Sequence, residues 1–206
     1  MIISHQLDMC AGVGVSAYLG AAAKIMNTNY LSAAGSILTV EARHSAYLRA
    51  AQGEIPFPQP FDSALDFNEV YTIASPFIAS CPSGNTKLPV KAFPTLMVTS
   101  KGGMMSVMPG SMVQLVAGEG FDKMMASDVH AAFITATGPM WAPVQDKGNG
   151  NFMVTIPMGV SGQSYVVLTR GSTQATDDNI IAGPAIIEVC NSTPSPKNVL
   201  IWMLTG

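Results

Sequence analysis

The sequence predicts an α+β chain: an N-terminal antiparallel helical hairpin followed by an antiparallel, immunoglobulin-like β-sandwich. Three observations carry this. Two long stretches, residues 4–26 and then up to about residue 52, place small or apolar residues at three- and four-residue steps. A Pro-rich break follows, with Pro56, Pro58 and Pro60. From about Thr95 the apolar period changes from 3.6 to 2, in short runs separated by Gly and Pro. The boundary falls near Lys91 to Pro94, dividing the chain into residues 1–92 and 93–206.

The first helix reads from Ser4, a capping residue with Asp8 close behind, to about Met26. Its body, from Gly12 to Ala23, is almost free of polar surface. Gly12, Gly14 and Gly20 lower its intrinsic helicity by about 1 kcal/mol each relative to Ala. They suit a neighbouring helix that approaches closely. Asn27-Thr28-Asn29 is a polar break, and Thr28 or Asn29 is read as the cap of the second helix. Gly53 ends that helix, and Pro56 forbids its continuation. Two helices joined so briefly form a hairpin. On the second helix Ile37, Val40, His44 and Tyr47 recur along one line, read as the inward face. Asp66 is read as the cap of a short third helix through Ala74, with Pro76 kinking or restarting it.

The strands are read at residues 96–98, 112–116, 131–137, 151–156, 164–169, 185–189 and 198–203. Short strands at this spacing suit a sandwich.

Composition narrows the function classes. Charged residues are only 11% and apolar residues 48%, with mean hydropathy +0.32. Roughly a quarter charged is usual. Buried contact between subunits, a homodimer through the two N-terminal helices, explains such apolarity, because large apolar patches rarely stay exposed. Net charge is −3 with no basic run, which argues against nucleic acid as a partner. The longest apolar run, residues 9–23, falls short of the roughly twenty residues that cross a bilayer. The N-terminal residues lack the Lys or Arg of a secretory signal. Cys10, Cys81 and Cys190 have no metal-knuckle spacing. A Cys81–Cys190 bridge and three thiols are both compatible with them, with Cys10 read as buried. Asn191 heads an Asn-Ser-Thr sequon, relevant only to a secreted chain.

The candidate metal ligands are Glu41 and His44. Three residues apart, they leave one side of the helix. A carboxylate and an imidazole on an inward helical face are what a bundle uses to hold iron or manganese. One pair is half a site. The alternative is a polar pair within a helix interface, bonded to each other or to Arg43 and Tyr18. His5 and Asp8 form a second pair of the same spacing near the terminus.

Other chemistry is sparse. His130 precedes an apolar strand without a nucleophile nearby, and no Gly-x-Ser-x-Gly or phosphate loop occurs. Asp177-Asp178-Asn179 is either a calcium loop or a solvated turn, and the turn is the commoner use. The methionines, including Met104, Met105, Met108, Met124 and Met125, would bind Cu(I) or, more simply, fill a core. Tyr18, Tyr47, Trp141 and Trp202 read as packing anchors. Trp141, between Pro139 and Pro143, would stack on a sugar if exposed.

The run Val13-Gly14-Val15-Ser16-Ala17-Tyr18-Leu19-Gly20-Ala21-Ala22, followed by Ile37-Leu38-Thr39-Val40-Glu41-Ala42-Arg43-His44, resembles the fungal ferritin-like-domain family of stress-response and desiccation-related proteins. The resemblance continues through Pro60-Phe61-Asp62 and Ser75-Pro76-Phe77-Ile78-Ala79-Ser80-Cys81-Pro82, and into the strands at residues 159–169 and 183–189. It implies that the hairpin is half of a four-helix bundle, starting at what resembles the third helix. Of the family's metal ligands only Glu41 and His44 carry over. Ala11 stands where relatives tend to place a Glu.

The leading expectation is therefore a non-enzymatic, stress- or surface-associated binding or assembly protein with a degenerate metal site and no resident cofactor. Two alternatives stand beside it. One is an iron- or manganese-binding protein whose site is completed across a homodimer of hairpins. The other is a module that binds a glycan or cell-surface ligand. The resemblance implies an extracellular or cell-wall location.

Overall fold

The computed structural model describes residues 2–99, 106–122 and 128–190. Helix α1 (Ile2–Ala22) and helix α2 (Thr28–Ala51) form the hairpin. Asn27, one residue before the expected position, caps α2. Its side-chain oxygen accepts from the N–H groups of Asn29 and Tyr30. Gln52 closes the far end, and Gly53 takes the left-handed backbone (φ +80°) that glycine tolerates best.

The face of α2 turned to α1 is not the one with the large side chains. Ala34 and Arg49 are buried, Glu41 packs against Gly14, and Tyr47 is 75% exposed. Ile37 and His44 also face outward. This corrects the inward face expected from the Ile37–Val40–His44–Tyr47 line, and the expected anchoring role of Tyr47. Of the glycines on α1 only Gly14 faces α2, against the Glu41 side chain, while Gly12 lies against Gln163 of β7 and Gly20 against the Leu65 backbone, and the bulky line of α2 is left outside.

Helix α3 (Phe67–Ala74) carries a complete capping box. Asp66 accepts from the Glu69 N–H at 2.8 Å, and Glu69 accepts from the Asp66 N–H at 2.8 Å. A 3₁₀ turn, Ser75–Phe77, follows at Pro76.

The strands are β1 (Leu96–Thr99), β2 (Ser106–Val107), β3 (Met112–Ala117), β4 (Val129–Ile134), β5 (Met140–Gly148), β6 (Asn151–Thr155), β7 (Gly162–Arg170) and β8 (Ile180–Val189). They lie in the order β1-β3-β6-β5-β4-β7-β8-β2. All neighbours are antiparallel except the two-residue β2, which runs parallel to β8. Strand β5 was not expected, because Pro139 and Pro143 punctuate it. Its first half pairs with β4 and its second with β6. Pro143 sits at the change of partner, where a missing N–H is tolerated. The chain thus makes two packed sheet faces, β1-β3-β6-β5 and β5-β4-β7-β8-β2.

Between them lies the main core, with Leu115, Phe133, Phe152, Val166 and Leu168 fully buried. The outer face of the β4-β7-β8 layer is not left to solvent. Alternation along β7 sends Val166 and Leu168 into the core and Gln163, Tyr165 and Val167 outward, beneath the helices and the segment joining them to β1. Residues 198–203, Trp202, Asn191 and Met104, Met105, Met124 and Met125 lie outside the described residues.

Candidate functional site

The hairpin meets the sheet at two polar nodes. The first is Arg49, in the last turn of α2. Its guanidinium makes a bidentate pair with Glu188 of β8, at 2.8 and 2.9 Å. Its Nε donates to the Ile55 carbonyl at 2.9 Å, and Glu54 lies 3.2 Å from Nη2. All three charged groups are largely out of solvent. A planar fork that meets one carboxylate with two parallel bonds is the strong form of this interaction.

The second node is Tyr165. Its hydroxyl accepts from Ser16 Oγ at 2.9 Å and from Gln163 Nε2 at 2.9 Å, and donates to the Gly12 carbonyl at 3.2 Å. Gln163 Nε2 also reaches the Met9 carbonyl. Burial pushes the Tyr165 hydroxyl up to about 12. The bonds from Ser16 and Gln163 oppose that rise, and the charge on Asp62 adds to it. The i, i+4, i+7 spacing of Gly12, Ser16 and Leu19 keeps this face of α1 toward the sheet.

A strap of residues 55–63 binds the hairpin to the sheet. Ser161 Oγ donates to the Pro58 carbonyl at 2.7 Å, and Gln59 Nε2 to the Gln163 carbonyl at 3.2 Å. Ser63 Oγ donates to the Ile134 carbonyl at 3.1 Å. A Cβ on Gly162 would stand 2.2 Å from Pro58, so only glycine lets the strap sit down. Between α1, α2, the strap and β7 lies a cavity of about 350 Å³.

A third polar node anchors α3. Glu69 is buried, and desolvation raises its carboxyl to about 7. The bond from the Asp66 N–H opposes this, and the charges of Asp66 and Asp177 add to it. Asp66 is raised as well, again mainly by burial. Asn68 ties the node together, donating to Asp177 at 2.8 Å and accepting from the Lys91 N–H at 2.7 Å. Glu69 and Asp66 line a cavity of about 290 Å³ against Gly20 and Thr135.

The residues singled out by sequence are placed differently. Glu41 lies between the helices against Gly14, and His44 is exposed on the far side. Among the described residues no three His, Cys, Asp or Glu side chains converge on a common point. The side chains of His5 and Asp8 lie outside the described residues. His130 pairs with Asp128 at 3.0 Å on the surface. Asp177 and Asn179 serve the loop before β8, where Asn179 accepts from the Thr176 N–H. Trp141 is half-buried, packed beside Ala132, Val167 and Ile180 with Phe93 and Ile134. No disulfide joins the cysteines, and Cys10 is exposed rather than buried. Met108 is exposed rather than filling a core.

Sequence reasoning passed over Arg49, Glu188, Tyr165 and Glu69. A signal existed for one of them: Glu188 is the single charge in the run Ala185-Ile186-Ile187-Glu188-Val189, and a charge amid buried strand residues calls for a partner.

Comparison with known proteins bears on the hairpin. Residues 8–54 match the family model described as the ferritin-like domain. The match begins within α1, takes in all of α2 and ends at Glu54, in the Arg49 node. The chain is also 36% identical over 63 residues to Protein rds1 of Schizosaccharomyces pombe, covering 31% of this chain and 16% of that protein. A DUF4784 family protein from Bacteroides caccae, of known crystal structure, is 15% identical with a TM-score of 0.30. That pairing covers 50% of this chain and 26% of the other, and the likeness carries no argument. No helix among the described residues is long and apolar enough to cross a membrane.

Proposed function

We propose that this chain is a non-enzymatic binding and assembly protein in which the helical segment, residues 1–92, is the interface and residues 93–206 are the scaffold. One observation carries the reading. The hairpin that matches the ferritin-like domain turns its bulky line away from its own sheet: Tyr30 and Tyr47 are 71% and 75% exposed, and Ile37 lies on the same side of α2. A soluble surface rarely keeps such a row uncovered. A second copy is the occupant we infer. Two hairpins related by a two-fold axis would rebuild four helices with a shared apolar seam. The similarity to Protein rds1 supports a fungal kinship, and the sequence resemblance at residues 13–22 and 37–44 supports a stress- or surface-associated role.

Analytical ultracentrifugation tests the assembly. The expected result is a dimer at micromolar concentration that Tyr47→Asp, with its sheet intact by circular dichroism, converts to monomer. A wild-type chain sedimenting as a monomer would sink the reading.

A second reading follows from His44. Being exposed, it is available to a partner's His44 across the same seam, and with the two Glu41 side chains turned out from between the helices such a set would suit iron or manganese. Stoichiometric metal in purified dimer, lost in His44→Ala, would support it. Metal-free dimer after incubation with ferrous iron would refute it.

A further inference from the structure

We infer that the cavity between the hairpin, the strap and β7 is a binding site for a small protonated aliphatic amine. Its volume of about 350 Å³ lies at the small end of the range that pockets for small molecules occupy.

The decisive feature is the balance of hydrogen-bond donors and acceptors on its walls. The side-chain donors are already engaged. Ser16 donates to Tyr165, and Tyr165 to the Gly12 carbonyl. The amide nitrogen of Gln163 serves Met9 and Tyr165. All three nitrogens of Arg49 are held, by Glu188, Glu54 and Ile55. The strap adds few donors, because Pro56, Pro58 and Pro60 have no N–H.

Acceptors remain. Gln163 Oε1 lies against Gly12 and makes no hydrogen bond among the described residues. The Asp62 carboxylate lines the cavity with no hydrogen bond or ion pair among the described residues. A ligand that answers these two side-chain acceptors brings its own N–H groups.

Charge points the same way. The Arg49 guanidinium on the wall is already neutralised by Glu188 and Glu54, which are not part of the lining, so the exposed Asp62 is the charge left on the walls. An anion would meet surplus negative charge. A neutral polyol would leave that charge unanswered. At the rim stand Phe57 and Phe61, 72% and 67% exposed, whose ring faces attract an ammonium group. The site does not depend on the assembly proposed above, since it is built within one chain.

The test is isothermal titration of the full chain with 1,4-diaminobutane, against 1,4-butanediol and butyrate as neutral and anionic comparators. Saturable binding of the diamine alone is expected, weakening as salt rises. Asp62→Asn should reduce affinity roughly threefold, the scale of an exposed ion pair. Its melting temperature should not move, since Asp62 holds no partner. Phe57→Ala should weaken the diamine without creating affinity for butanediol. Absence of saturation at millimolar diamine, equal binding of butanediol, or unchanged affinity in Asp62→Asn would each overturn the inference.

Discussion

Arg49 and Glu188 stand 139 positions apart in the chain and meet through two parallel hydrogen bonds of 2.8 and 2.9 Å. This pair fastens the end of α2 to the last described strand. Its charged groups are largely out of solvent, so its energetics differ from those of a surface ion pair. Removing one partner leaves charge without compensation.

Arg49→Met should therefore destabilise the protein by about 3–5 kcal/mol, because Glu188 and Glu54 would remain buried without a cation. Replacing Glu188 by Gln in addition should recover part of that loss. Urea denaturation of the two single variants and the double variant measures both. Simple additivity of the two losses would contradict a direct pairing.

Stability should fall as pH rises through the range set by Glu69. Its carboxyl lies near 7 in the folded chain and near 4.5 as a free group. Between those values the folded state holds a proton that the unfolded state has lost, so stability declines as pH rises. The contribution is complete below about 4.5 and gone above about 7. Glu69→Gln keeps an acceptor for the Asp66 N–H and removes the charge. It should be more stable than wild type at pH 8 by on the order of 2–3 kcal/mol and should flatten this part of the profile. Melting curves across that range decide it.

Tyr165→Phe preserves the ring and removes the hydroxyl that Ser16, Gln163 and Gly12 share. The donors and the carbonyl left behind are poorly placed to find water. A loss of about 1–3 kcal/mol is expected, seen as a drop in melting temperature. Ser16→Ala should cost less, because Gln163 still donates to the hydroxyl.

Gly20 and Gly35 make a matched pair. A Cβ at Gly20 would fall 1.8 Å from the Leu65 carbonyl oxygen, while a Cβ at Gly35 meets nothing within 4 Å. Gly35→Ala on α2 should stabilise by about 0.5–1 kcal/mol through helix propensity. Gly20→Ala should lose more than it gains, because backbone must move to admit the methyl. Opposite shifts in melting temperature are expected, and shifts of the same sign would contradict the close approach of α1 to residue 65.

Much of the architecture is written in local spacing. The break at Asn27, the stop at Gly53, the cap at Asp66 and the change of period near Thr95 are visible in order along the chain, and each corresponds to an observed boundary. They are legible because capping, propensity and apolar period act over a few residues. β5 escaped notice because its prolines mark a turn everywhere except at a point where a strand changes partner.

What this sequence determines by itself is therefore the kind and order of its elements: two long helices, a capped short one, and a series of antiparallel strands. Tertiary structure alone decided which side of α2 is inside. Period distinguishes two faces of a helix, but the neighbours choose between them: α1 meets Glu41 at Gly14, and Glu188 of β8 holds Arg49. It alone joined Arg49 to Glu188 and Ser16 to Tyr165, pairs 139 and 149 residues apart. No spacing rule spans such distances. The cavity beneath the strap is their common product, since its walls come from both ends of the chain and meet only when the hairpin closes on the sheet.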